Sequence, residues 1–129
     1  MVTPLYAALL ALLFIALSVR TLLLRRRLKI PVGDAGDTLM LRAMRAHGNF
    51  AEYTPLALLL CFMVEAQGNS VWLVHTVGGL LLLGRCLHAW GVSQLNENFS
   101  FRVSGMAMTF SSLGLSISLL LSRYILNLL

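Results

Sequence analysis

Charged residues are scarce in this sequence, at 12% of 129 residues, roughly half the share usual in soluble domains. Hydrophobic residues make up 58%, and the mean hydropathy is +0.82. That balance excludes an ordinary water-soluble domain and describes a membrane protein. Each helical crossing takes roughly 20 apolar residues, so four crossings would use about 80 and leave only short connections. A separate soluble domain has no room. Cysteine is also rare: Cys61 and Cys86 stand alone in apolar stretches without CxxC spacing, which excludes a disulfide scaffold or a zinc site. Both read as small buried core residues. His47, His75 and His88 show neither HxxxH nor HExxH spacing, so no metal site is expected. Acids are the scarcest charges, five against ten Lys and Arg, for a net charge of +5. In a membrane chain this excess reports orientation, and nucleic acid is not an expected partner.

What is present is apolar sequence in four runs. The first, about 4–24, stops at Arg25, Arg26, Arg27 and Lys29. A signal peptide carries its positive charge before the apolar region, so the reversed order marks this run as a retained helix. Pro31 to Asp37 has loop composition, with Asp37 or Thr38 as the cap of a second helix over about 38–66. Gln67-Gly68-Asn69-Ser70 reads as a tight turn, and a third run covers about 71–91. The polar hairpin Ser93 to Asn98 then leads to a fourth over about 103–126. There, Gly114, Ser118 and Ser122 form a small-residue stripe suited to helix contact, with Ser112 and Ser116 on an adjacent stripe. The expected fold is an all-α, integral membrane four-helix bundle forming a single domain over 1–129.

The loop charges set its orientation. Arg25, Arg26, Arg27, Lys29, Arg42, Arg45 and Arg102 gather on one side, opposite only Arg123, so both termini are expected away from the cytoplasm. Asn98-Phe99-Ser100 would then lie on the cytoplasmic side, and its glycosylation pattern carries no weight.

The second helix holds the unusual chemistry. At 100° per residue, Arg45, Asn49 and Glu52 fall at about 300°, 340° and 280° from Arg42, one polar arc of about 80°. Glu52 lies roughly 15 Å along the helix from Arg42, where an ionisable group needs a partner or a protein cavity. Two readings fit. Arg45 and Glu52 form an internal ion network with Arg85 or Arg102, or these residues leave an open pocket for a ligand bearing both signs of charge. The surplus of cations favours the ligand. His47 falls off this arc and reads as an interfacial or inter-subunit hydrogen-bonding group, and His75 as a structural or headgroup-facing one. Pro55 frees the carbonyl of Ala51 and is expected to kink the helix.

The stretch Arg42-Ala43-Met44-Arg45-Ala46-His47-Gly48-Asn49-Phe50-Ala51-Glu52-Tyr53, followed by Pro55, resembles the signature of the MAPEG family, membrane-associated proteins in eicosanoid and glutathione metabolism. Gly84-Arg85-Cys86-Leu87-His88-Ala89-Trp90-Gly91 resembles that family's third-helix motif, and Arg102 through Thr109 the start of its fourth helix. The resemblance covers essentially the whole chain. It implies a homotrimer binding glutathione as co-substrate between subunits near the cytoplasmic face, with a lipophilic acceptor arriving from the membrane lipid. By the same resemblance, Arg42, Arg45, Asn49, Glu52, Arg85 and His88 are glutathione-binding residues, and Arg102 is the catalytic arginine beside the thiolate.

The sequence departs from eicosanoid-making members at Gly48, Val92 and Met106, where they carry an arginine, a tyrosine and, in some, a further tyrosine. It looks more like a bacterial member, placed in the inner membrane. The expected function is a glutathione-dependent transferase or peroxidase acting on lipophilic electrophiles or hydroperoxides. The alternative is a non-catalytic member that binds a lipid or a partner. A transporter is disfavoured, because the charges collect at one face instead of lining a path across the membrane.

Overall fold

A computed structural model describes residues 1–128. Four helices follow in order: α1 (Thr3–Leu28), α2 (Thr38–Ala66), α3 (Val71–Ser93) and α4 (Phe99–Leu126). α1, α3 and α4 are each long and apolar enough to cross a membrane. α2 is equally long but falls short in hydropathy, because its polar arc occupies half of it. Three of the four helices therefore meet the requirement for a crossing on their own, and α2 completes the expected all-α four-helix bundle in contact with α1, α3 and α4.

Local chemistry accounts for the helix ends. α1 continues past Leu24 through the three arginines to Leu28, because arginine is a good helix former and cations suit the negative end of the helix dipole. Lys29, in the left-handed region at φ 55°, closes it. Asp37 caps α2 as expected, accepting from the Met40 amide at 2.8 Å, and α2 runs on through Pro55. α3 extends past Gly91 to Ser93, and α4 begins at Phe99, ahead of Val103. Asn98 is the reason for that early start: its side chain accepts from the Ser100 amide at 3.0 Å.

α1 has no side-chain cap of its own. Its first amides turn instead to α2: the Glu65 carboxylate accepts from Val2 N and, at 2.8 Å, from Thr3 N. This ties the start of α1 to the end of α2.

The tightest pairing is α3 with α4, where Gly84 meets Gly105. A methyl group on Gly105 would sit 2.7 Å from the Gly84 carbonyl oxygen, so neither position has room for a side chain. Gly105, Thr109, Ser112 and Ser116 continue the buried seam, and Ser112 Oγ donates to the Val77 carbonyl at 2.8 Å. The expected contact stripe therefore shifts: Gly114, Ser118 and Ser122 face outward, while their neighbours make the contact. Leu10, Leu17, Phe50 and Leu81 centre one apolar cluster, and Cys61, Val64, Val74 and Val77 a second. Cys61 is buried there as expected, but Cys86 is exposed, on the face of α3 turned away from α4.

Candidate functional site

The polar arc of α2 divides along its length, and helix geometry explains how. The buried positions of α2, Ala43, Ala46, Phe50, Thr54, Ala57 and Cys61, centre about 80° to 90° from Arg42 on the helical wheel. Arg42 and Asn49 stand on the near edge of that face and reach α3 and its hairpin. Arg45 and Glu52 lie farther round and point outward.

On the inner edge, Arg42 donates to Glu97 Oε2 at 2.9 Å and to the Val92 carbonyl at 3.2 Å. Arg102 approaches the other oxygen, Glu97 Oε1, at 3.7 Å, and its guanidinium lies 5.7 Å from the centroid of the Phe99 ring. Glu97 is therefore the hub joining α2, the hairpin and α4. A place in a polar hairpin offered little reason to expect this, because only the α3–α4 pairing folds it back over Arg42.

Two turns deeper, Arg85 is completely buried. Its Nη2 donates to Asn49 Oδ1 at 2.6 Å, its Nη1 faces Met106 Sδ at 3.8 Å, and the Tyr53 ring centroid lies 5.7 Å away. No carboxylate pairs with it among the described residues. The role of Arg85 within the chain is to orient Asn49. His88, 3% exposed, lies next to this layer, and its Nδ1 has no hydrogen-bond partner. Met106 thus supplies a weak thioether acceptor where a phenol would supply a strong one, and Val92 contributes its carbonyl.

The outer edge differs. Arg45 and Glu52 are exposed and make no hydrogen bond or ion pair with any described residue. They are flanked on the exterior of α2 by Leu41, Leu56 and Leu59, all exposed. The internal network of Arg45 and Glu52 with Arg85 or Arg102 does not form; the ion pairs run instead through Arg42, Glu97 and Arg102. The seven candidate residues therefore fall into two groups. Arg42, Asn49, Arg85, His88 and Arg102 belong to the inner polar layer, whereas Arg45 and Glu52 look outward from it.

His47 binds within its own chain. Its Nε2 is 2.9 Å from Ser18 Oγ, and its ring stacks on Phe14 at 5.0 Å. His75 is 3.0 Å from the Tyr6 hydroxyl through Nδ1, a structural contact between α3 and α1. Sequence reasoning passed over Arg20, whose guanidinium reaches back from α1 to Ser93. A cation set inside an apolar run ahead of the basic cluster was the available signal.

An all-α membrane protein with a polar layer at one end, assembled from α2, α3 and α4, is the class that fold and site define. Within that class the chain belongs to the MAPEG family, which it matches over residues 3–122. It is similar to inner membrane protein YecN of Escherichia coli strain K12, 39% identical over 113 residues that cover 88% of this chain and 85% of that protein. The protein of the same name from Escherichia coli O6:H1 is similar to the same extent.

Proposed function

We propose that the protein is a glutathione-dependent transferase or peroxidase of the bacterial inner membrane, working as a homotrimer with its thiol site between subunits and both termini away from the cytoplasm. The observation that carries this reading is Arg45 with Glu52. They are opposite charges two turns apart, unpaired, on an otherwise apolar outward face of a membrane-embedded helix. Leaving Glu52 against lipid is expensive. A second copy laid on this face excludes lipid, and a ligand with carboxylates and an ammonium group answers both charges. Glu52 takes the ammonium group of glutathione, Arg45 a carboxylate, and Asn49, held by Arg85, a peptide group.

Arg102 supplies the thiolate function. A free thiol has pKa near ~8.5, and an adjacent guanidinium lowers it, raising the nucleophilic fraction at neutral pH. In conjugation, the thiolate sulfur forms a bond to an electrophilic carbon as the leaving group departs with the bonding electrons. In the peroxidase reaction, two glutathione molecules become a disulfide while a hydroperoxide is reduced to alcohol and water. Glutathione titrated calorimetrically into the detergent-purified assembly is expected to bind. A folded assembly that takes up no heat across the titration rejects the reading.

Glu97 favours a second reading, a non-catalytic member that binds lipid or a partner. Its carboxylate already engages Arg102 and Arg42, and so competes for the cation that would serve a thiolate. Thiol conjugation by the wild type, lost in Arg102→Ala while glutathione still binds, decides for catalysis. Binding without conjugation toward any acceptor, unchanged in Glu97→Gln, decides for the second reading.

A further inference from the structure

The five acids of this sequence are all placed away from Arg20 and Arg27. Asp34 and Asp37 serve the α1–α2 loop, Glu65 binds the start of α1, Glu97 binds Arg42, and Glu52 stands on the exterior of α2. Arg20 and Arg27 are seven residues apart on α1, so they share a face about 10 Å apart along the axis. No ion pair engages either of them among the described residues. Arg20 lies about 7 Å deeper than Arg25, and Arg25 is turned aside to the Gly33 carbonyl at 2.9 Å.

Arg20 is held in place. Its Nη1 donates to Ser93 Oγ at 2.5 Å and its Nη2 to the Ser93 carbonyl at 3.3 Å, which leaves further donors of the guanidinium fork unused. Two grooves meet at this side chain. One, of about 460 Å³, runs between α1 and α3 past Leu13, Leu17, Ala89 and Trp90. The other, of about 440 Å³, runs toward the α2 start past Val19, Leu23, Leu39 and Arg27. Both are lined by Ala16 and Arg20, and neither by a carboxylate.

We propose that this continuous groove binds an anionic phospholipid, its phosphate between Arg20 and Arg27 and an acyl chain along α1 against Leu13, Leu17 and Trp90. The apolar walls belong to two membrane-crossing helices, so a ligand must bring a hydrocarbon chain to fill them. Two cations without a nearby acid suit a net negative headgroup, whereas the ammonium group of a zwitterionic lipid meets no counter-charge there. The site uses none of the residues assigned to glutathione and stands independently of that assignment.

The test uses the full-length protein in detergent, with thermal unfolding and lipid retention in native mass spectrometry as readouts. Phosphatidylglycerol is expected to raise the unfolding temperature and to be retained, while phosphatidylcholine at the same concentration does neither. In Arg20→Gln/Arg27→Gln, retention of phosphatidylglycerol is expected to fall about 10- to 30-fold, as the loss of two surface-level cation contacts predicts. Ala16→Trp fills the exposed groove but keeps both arginines, and is expected to abolish the gain in unfolding temperature; it remains decisive if the double variant does not fold. Equal stabilisation by phosphatidylcholine overturns the proposal. So does an unchanged gain in Ala16→Trp, or the same gain from free glycerol phosphate, which would show a soluble-anion site.

Discussion

Glu52 and Glu65 belong to one helix and meet opposite surroundings. Glu65, near the end of α2, is enclosed by the start of α1 and accepts its first amides, with the Met1 ammonium 4.0 Å away. Glu52, in the middle of the helix, has no partner among the described residues. The difference is angular, since Glu65 lies on the side of α2 that α1 covers and Glu52 on the side no helix of the chain covers. An acid whose partners lie in its own chain is part of the fold, and one without them at membrane depth is available to something else. The inner layer of Arg42, Glu97, Arg85 and Asn49 repeats the first case, and Arg45 the second.

The sharpest way to break this comparison is Glu52→Gln. On the proposed assignment, losing the carboxylate that takes the ammonium group is expected to weaken glutathione binding by about 10- to 100-fold, as for loss of a charge-assisted hydrogen bond, with unfolding of the chain barely moved. A variant that binds glutathione normally would return Glu52 to the structural side. Arg85→Met comes next. It loses the group that orients Asn49, so calorimetry should show glutathione affinity about tenfold lower. Stability should not fall in step, because the same change removes a buried charge without a counter-ion.

Glu65→Gln should show the reverse signature. Losing the carboxylate at the α1 N-terminus is expected to cost about 1–2 kcal/mol in denaturant or thermal unfolding, with glutathione titrations unchanged. The smallest effect belongs to Gly48→Ala. Nothing lies within 4 Å of the position its methyl group would take, so α2 should gain about 0.5–1 kcal/mol from helix propensity. A loss of stability confined to the assembled protein would instead show that a neighbouring subunit closes on Gly48, which sharpens the outward face into an interface.

Much of the fold and half of the candidate site are legible in the residues themselves. The polar arc of α2 follows from residue spacing alone, as do the loop at Pro31 to Asp37 and its Asp37 cap, because helical periodicity and capping are local. The division of that arc was not legible. Arg42 and Arg45 are separated by about 60°, and only the placement of α3 makes one a partner of Glu97 and leaves the other free. The choice between the two small-residue stripes of α4 was hidden for the same reason. Gly105, Thr109, Ser112 and Ser116 became the contact because Gly84 of α3 lies against Gly105, and the sequence holds no mark of which stripe α3 meets.

Composition by itself determined that this chain lives in a membrane, since so few charges among so many apolar residues cannot form a soluble domain. Spacing determined which residue types share a helix face, and motif order pointed to the family. The tertiary structure alone decided which of the few charges are used up: Glu65 by α1, Glu97 by two arginines, Arg85 by Asn49. Pairing is a property of distance between helices, and that distance is set by packing, which no single helix contains.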